Sequence, residues 1–348
     1  MSDDILANDP RRIVVLRALY LGDLLCATPA FHALRRRFPE AEITLIGLPW
    51  AEKLVRRLPS LDQFLTFPGY TGIPESGVDP HRTQVFLDEA RSTGYDLAVQ
   101  MHGDGRTSNG FVADLGARFS LGYRRLDDSR LSISLPWVAD EPEIERWLRL
   151  VGEVGADTCD TRIDFPRTPV DHKRARNLLA QLPPGDEPLV GLHAGASSPL
   201  RRWPPARFAE LADALSERWN ARIVLTGTAQ ERSITQQVRQ LANTSILDLA
   251  GYTDLGAFAA VIEQLDLLVT NDTGALHLAA ASTTPSVAIF SVASAYQWAP
   301  LDHDRHLIVD ARSYAPAELP PVDALAQLPI EPVLLACERH LGADTESG

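Results

Sequence analysis

Residues 12–47 read RIVVLRALYLGDLLCATPAFHALRRRFPEAEITLIG, and how this stretch divides decides the fold. Arg12 to Arg17 (RIVVLR) and Glu42 to Gly47 (EITLIG) are short β-branched runs that read as strands, and Leu24 to Arg37 between them has the longer amphipathic pattern of a helix. Strands joined by crossover helices build a parallel sheet. Working outward, Asp96 to Gln100 (DLAVQ) reads as a further strand, and a helix over Glu141 to Val154 closes a first domain, expected to span 1–165.

Five prolines and one expected helix, Asp171 to Leu182, lie between Asp157 and Pro188, so 166–188 reads as a linker. The alternation then restarts in a second domain, 189–348. Its expected strands are Leu189 to His193, Arg222 to Thr226, Leu267 to Thr270 and Ser286 to Phe290, and its expected helices lie near Pro205 to Arg218, Glu231 to Ala242, Leu255 to Gln264 and Gly274 to Ala281. The last helix is left open as one that returns to the first domain. Two doubly wound α/β units in tandem place a ligand cleft at the carboxyl ends of their strands.

The chain has 348 residues with 45% hydrophobic content, enough for two cores. Its 46 acidic and 33 basic side chains leave a net charge of −13, which argues against general nucleic-acid binding. Arg35 to Arg37 and the Arg201, Arg202 pair are the local basic patches, each open to a reading as a solvated face or an anion contact. Cys26, Cys159 and Cys337 stand far apart, as reduced thiols of a cytoplasmic protein do. Met1 to Pro10 is polar, with no apolar core of a signal peptide, and is expected to fray. Thr273 to Leu301 lacks charge, but its small and polar residues read as a buried helix and strand, not a membrane span.

Four loops carry candidate chemistry. After the first strand, Leu21-Gly22-Asp23 places a carboxylate where it either caps a helix or serves as a general base. The loop from Ala194 to Pro204 combines small residues, the Ser197 and Ser198 hydroxyls and a guanidinium, which suits a diphosphate or else an ordinary helix start. Glu231, ending TGTAQE, either accepts ribose hydroxyls or is a first-turn acid favoured by the helix dipole. In Asn271 to His277 (NDTGALH), backbone N–H groups near Thr273 and Gly274 would face an anion, Asp272 would hold sugar hydroxyls or cap, and His277 would reach phosphate or lie buried. Neither half carries the glycine fingerprint of a dinucleotide site, and Gly103-Asp104-Gly105 does not supply one.

Taken in order, RIVVLRALYLGDLLCATPAFHALRRRFPEAEITLIG, GLHAGASSPLRRWPPARFAELADAL, VLTGTAQE and the run from Leu249 to Phe290 resemble the ADP-heptose:lipopolysaccharide heptosyltransferase family. These are inverting glycosyltransferases of family 9 with the GT-B fold, two Rossmann-like α/β domains facing each other across a cleft. The resemblance implies Asp23 as the catalytic base, and Ser197, Ser198, Arg202, Glu231, Asp272, Thr273, Gly274 and His277 as donor-binding residues. On the acceptor side the candidates are Gly22 and the loop Met101 to Asn109, with His102 and Asp104, a loop that also reads as an ordinary polar connection. The expected activity is transfer of a heptose or related sugar from a nucleotide-sugar donor, ADP-heptose or similar, to a glycan or glycolipid. No metal and no cofactor is expected, and the enzyme should be cytoplasmic, with peripheral contact at the inner face of the membrane left open.

Two departures stand out. Arg202 precedes Trp203-Pro204 where the family usually has Lys in K-x-W-P or K-W-P form, and Ser291 to Ser294 replaces a Gly-Pro-Thr-like turn. The net charge of −13 would repel an anionic acceptor at long range unless a local basic face compensates. A nucleotide-sugar epimerase of the same fold and a non-catalytic donor-binding subunit are the rival readings.

Overall fold

The computed structural model describes residues 9–125 and 130–342. The chain divides after Asp164 into two compact units. The first contains β1 (Arg12–Leu16), β2 (Glu42–Gly47), β3 (Gln63–Thr66), β4 (Leu97–Gln100), β5 (Phe119–Arg124) and β6 (Ile133–Pro136) in one sheet ordered β3-β2-β1-β4-β5-β6. All neighbours are parallel, with Val14 opposite Thr44 on one side and Ala98 on the other.

The second unit contains β7 (Leu189–His193), β8 (Arg222–Leu225), β9 (Ile246–Asp248), β10 (Leu267–Asn271), β11 (Ser286–Phe290) and β12 (His306–Asp310), ordered β12-β11-β10-β7-β8-β9 and again all parallel. Numbered within its own unit, each sheet runs 3-2-1-4-5-6, the order of a dinucleotide-type doubly wound fold. Its chain reversal falls between the first and fourth strands, β1 and β4 in one unit and β7 and β10 in the other.

Burial on both faces explains why the central strands read as continuous apolar runs. Ile13, Val14, Val15 and Leu16 of β1 are each at most 1% exposed, and each such side chain contributes about 1.5–3 kcal/mol on burial. In the second unit the helix Pro205–Trp219 packs Phe208, Leu211, Ala212 and Leu215, one helical face, into the core with Trp203.

The expected helix from Leu24 to Arg37 is two helices, Leu21–Cys26 and Thr28–Arg37. Pro29 has no N–H for the Leu25 carbonyl, and the Thr28 hydroxyl donates to that carbonyl instead, at 2.7 Å. The stretch 166–188, expected as a linker, carries the helix Pro169–Leu179, which packs on the helix Leu255–Ile262 within the second unit. A reciprocal cap starts it: the Thr168 N–H donates to Asp171 Oδ2 (2.7 Å) and the Asp171 N–H to Thr168 Oγ1 (3.3 Å). The last helix, Glu331–Leu341, buries Val333, Leu334, Cys337 and Leu341 in the core of the second unit and so does not leave it.

The basic run at Arg35 to Arg37 is paired throughout, with Asp62, Asp160 and Asp9 respectively, which removes it as an open anion contact. Cys26 and Cys337 are buried and Cys159 is exposed, and none of the three forms a disulfide. Among the described residues, no helix is long and apolar enough to cross a membrane.

Candidate functional site

In the second unit, the loops after β7, β8 and β10 leave the carboxyl edge of three adjacent strands. Asn271, the last residue of β10, ties two of them together. Fully buried, it donates through Nδ2 to the carbonyls of Ala194 (3.0 Å) and Gly195 (3.2 Å) and accepts the Trp203 N–H at Oδ1 (3.0 Å). Both ends of the 194–203 loop are thus held by one side chain at the point where strand order reverses, the usual ligand position in such sheets. Trp203 is anchored in turn by its Nε1–H on the Leu328 carbonyl at 2.9 Å.

Within this loop the two arginines diverge. Arg202 turns back and donates from Nε and Nη2 to the Ala196 carbonyl at 2.9 and 2.7 Å, so its guanidinium shapes the loop. Arg201 instead reaches Asp272 Oδ2, Nη1 to Oδ2 3.2 Å, and remains 41% exposed against 9% for the carboxylate side chain. The guanidinium that reaches the Asp272–Thr273 turn is therefore that of Arg201, while that of Arg202 is held by the Ala196 carbonyl. Ser197 is exposed, while Ser198 accepts the Leu200 N–H at 3.3 Å and starts a short 3-10 turn, Pro199–Arg201.

Glu231 is 9% exposed and lies over Gly195, where an added Cβ would stand 2.1 Å from its Oε1. Only glycine permits that approach. Its Oε2 also accepts the Thr228 N–H (2.7 Å) and hydroxyl (2.9 Å), so capping and a place beside the loop coexist in one carboxylate. His193, at the end of β7, bonds Thr226 Oγ1 through Nδ1 (3.0 Å) and stacks on Phe258.

Thr273 starts the nine-residue helix Gly274–Ser282, its Oγ1 accepting the Ala275 N–H at 3.3 Å. The positive end of this helix faces the same edge. His277, 3% exposed, has its pKa pushed down to about 4 by burial, with His306 adding to the shift, so it meets any ligand as a neutral imidazole. The variant turn at 291–294 is built differently again: the Ser291 hydroxyl donates to the Pro321 carbonyl and Ser294 caps Gln297.

In the first unit, Gly22 and Asp23 lie in the first turn of Leu21–Cys26. Asp23 Oδ2 accepts the Tyr20 N–H at 3.2 Å, the capping contact. Burial pushes its pKa up; Arg17 opposes this and Glu143 reinforces it. A carboxylate held above its ordinary range is a stronger base, so the cap does not displace the catalytic reading.

Arg17, 1% exposed, was not singled out from sequence. It donates from Nε to the Asp23 carbonyl (2.7 Å) and from Nη1 to the Met101 carbonyl (2.7 Å), and Nη2 lies 3.4 Å from Glu143. Glu143 is itself bonded by Arg146 Nε (3.0 Å) and Trp147 Nε1 (2.9 Å), which satisfies a buried ion cluster under the Asp23 helix. The signal for Arg17 was a charge closing an apolar strand.

On the loop Met101 to Asn109, His102 is 7% exposed with Nδ1 on the Ala18 N–H and Nε2 towards Glu75. Asp104 pairs with Arg125 at 2.6 Å and accepts the Arg106 N–H at 3.0 Å. Both polar side chains are engaged within the unit.

Two all-parallel doubly wound units of this topology form the GT-B fold, with the half-buried Asp23 in the first helical turn past β1. Residues 86–319 match glycosyltransferase family 9 (heptosyltransferase), and the chain belongs to that family. Lipopolysaccharide heptosyltransferase 2 of Escherichia coli strain K12 is 26% identical over 312 residues, 85% of this chain and 87% of the relative. The family 9 glycosyl transferase of Veillonella parvula has a similar fold, with TM-score 0.80 at 20% identity, covering 96% of this chain and 97% of its own. ADP-heptose lipopolysaccharide heptosyltransferase II of E. coli gives TM-score 0.75 at 22% identity, covering 96% and 99%. The chain is a glycosyltransferase, and the epimerase reading falls away with the family.

Proposed function

We propose that the enzyme moves a heptose from ADP-heptose to a lipopolysaccharide-type glycolipid, inverting the anomeric centre. The observation that carries the donor half is the Asn271 clasp, which holds the loop of Arg201 against the Thr273 turn, with Glu231 lying over Gly195 of the same loop. The names of the E. coli relatives supply the nucleotide, sugar and acceptor.

Asp23 takes the proton of an acceptor hydroxyl, whose oxygen forms a bond to the anomeric carbon as the bond to the β-phosphate oxygen breaks. ADP departs with that electron pair. Negative charge builds on the leaving diphosphate, where the Arg201 guanidinium, the Ser197 and Ser198 hydroxyls and the Thr273–Gly274 helix start stabilise it as preorganised donors. Glu231 accepts from the ribose hydroxyls, and Asp272, released from Arg201, orients sugar hydroxyls. Arg202 keeps the loop in shape through the Ala196 carbonyl. The first unit supplies the base and receives the acceptor.

Thermal shift with a panel of nucleotide diphosphates and nucleotide sugars tests this, followed by transfer assays with a core-type glycolipid. ADP and ADP-heptose should raise the melting temperature most, a ligand at 100 times its Kd adding about 2.7 kcal/mol. A preference for UDP or GDP, or turnover only with another donor, would overturn the assignment.

A further inference from the structure

The connection between β1 and the Asp23 helix is short, so small shifts in it move the carboxylate directly. A side chain from another strand holds it. His102 follows β4, which pairs with β1 so that Leu16 stands opposite Gln100, and this register sets the imidazole beside Ala18. His102 Nδ1 accepts the Ala18 N–H at 3.2 Å.

A ring nitrogen that accepts a hydrogen bond carries no proton, so in the neutral ring the proton sits on Nε2. Nε2 faces Glu75 Oε2, in the loop after β3, at 3.4 Å. The 3.4 Å contact with His102 holds the Glu75 carboxyl below its ordinary range, so an anion faces the protonated ring nitrogen. The backbone of His102 is pinned too, its carbonyl accepting from Gln100 Nε2 and Ser108 Oγ, each at 2.6 Å. With both nitrogens engaged and the ring buried, His102 has no face left for proton exchange with substrate.

We propose that His102, oriented by Glu75, is a positioning residue for Asp23: it fixes the β1 connection through the Ala18 N–H and so sets where the base stands. This rests on the reading of Asp23 as the base. The arrangement matches the way second-layer partners orient catalytic groups elsewhere, where a misplacement near 1 Å can cost about 10²-fold in rate.

Isosteric variants separate the two ring nitrogens. In His102→Asn, Oδ1 takes the place of Nδ1 and still accepts from Ala18; in His102→Gln, the terminal amide takes the place of Nε2 and keeps Glu75 while Ala18 loses its acceptor. kcat, KM for donor and acceptor, and melting temperature are measured for both and for Glu75→Gln. The Gln variant should lose about 10- to 100-fold in kcat with donor KM unchanged, and the Asn variant should recover most of that loss. Glu75→Gln, which leaves the imidazole in place, should fall between them. Equal losses in the Asn and Gln variants, or a Gln variant with wild-type kcat, would overturn the positioning role. Asp23→Asn is run alongside: an active Asp23→Asn enzyme sinks the reading of Asp23, whereas an inactive one beside a fully active His102→Gln sinks the positioning role alone.

Discussion

Asp23→Asn separates the cap from the base, because the two roles use the side chain differently. The amide keeps the size of the carboxylate, and its oxygen can still accept the Tyr20 N–H now bonded at 3.2 Å, the contact from the third helical position back to the N-cap backbone. What it cannot do is take a proton. Transfer should fall by about 10²- to 10⁴-fold at saturating donor, the usual contribution of a positioned proton acceptor.

Stability should move the other way. Burial raises the Asp23 pKa in the folded enzyme, so the folded state holds this proton more tightly than the unfolded chain does. The stability linked to the proton is complete below the unfolded pKa and is lost as pH rises through the folded value. At neutral pH the ionised carboxylate is therefore a burden that Asn does not carry. Melting curves should show the variant as stable as wild type or more so at pH 7, with the difference shrinking in acid. Turnover within a few-fold of wild type would refute the mechanism. A variant that melts well below wild type at pH 7 would show that the carboxylate is kept for the helix start.

Two further outcomes follow from the second unit. Arg201→Ala should weaken ADP binding about tenfold or more by calorimetric titration, with Arg201→Lys retaining part and Arg202→Ala costing less, because Arg201 faces Asp272 while Arg202 is spent on Ala196; a larger loss from Arg202→Ala would reverse their roles. Asn271→Ala strands the Trp203 N–H and the carbonyls of Ala194 and Gly195 in a buried place, so denaturant titration should show roughly 3 kcal/mol of lost stability, and less than 1 kcal/mol would mean the loop does not depend on the clasp.

The strands legible in sequence were the central ones. RIVVL, LAVQ, LVGLH and LLVTN are buried on both faces and have little room for polar residues. Of those not read, β3 (QFLT), β6 (ISLP), β9 (ILD) and β12 (HLIVD) are sheet margins with one side unpaired, and β5 (FSLGYR), paired on both sides, has its run broken by Ser120 and Gly122. The loops that bear the candidate site were legible for the same reason, since each follows a central strand. Which side chain in a loop does what was not, because the deciding partners are remote. Arg201 and Asp272 are 71 positions apart, and Arg17 and Glu143 are 126 apart.

Strand order supplies the link that local pattern lacks. In a 3-2-1-4-5-6 sheet the first and fourth strands are neighbours, so residues just past them meet although a long stretch of chain separates them. Both units use that meeting in the same way. In the first, His102 after β4 accepts from the Ala18 backbone just past β1; in the second, Asn271 ending β10 donates to the Ala194 backbone just past β7. Each contact is a buried side chain of the fourth strand's end holding the backbone of the first strand's loop, where it costs an unsatisfied polar group to let go. The loops so held are the ones that carry Asp23 and Arg201. A polar, paired residue at the reversal point thus stiffens the edge of each sheet, which makes His102 and Asn271 counterparts and makes their substitution the direct way to loosen the loops of the first unit and of the second separately.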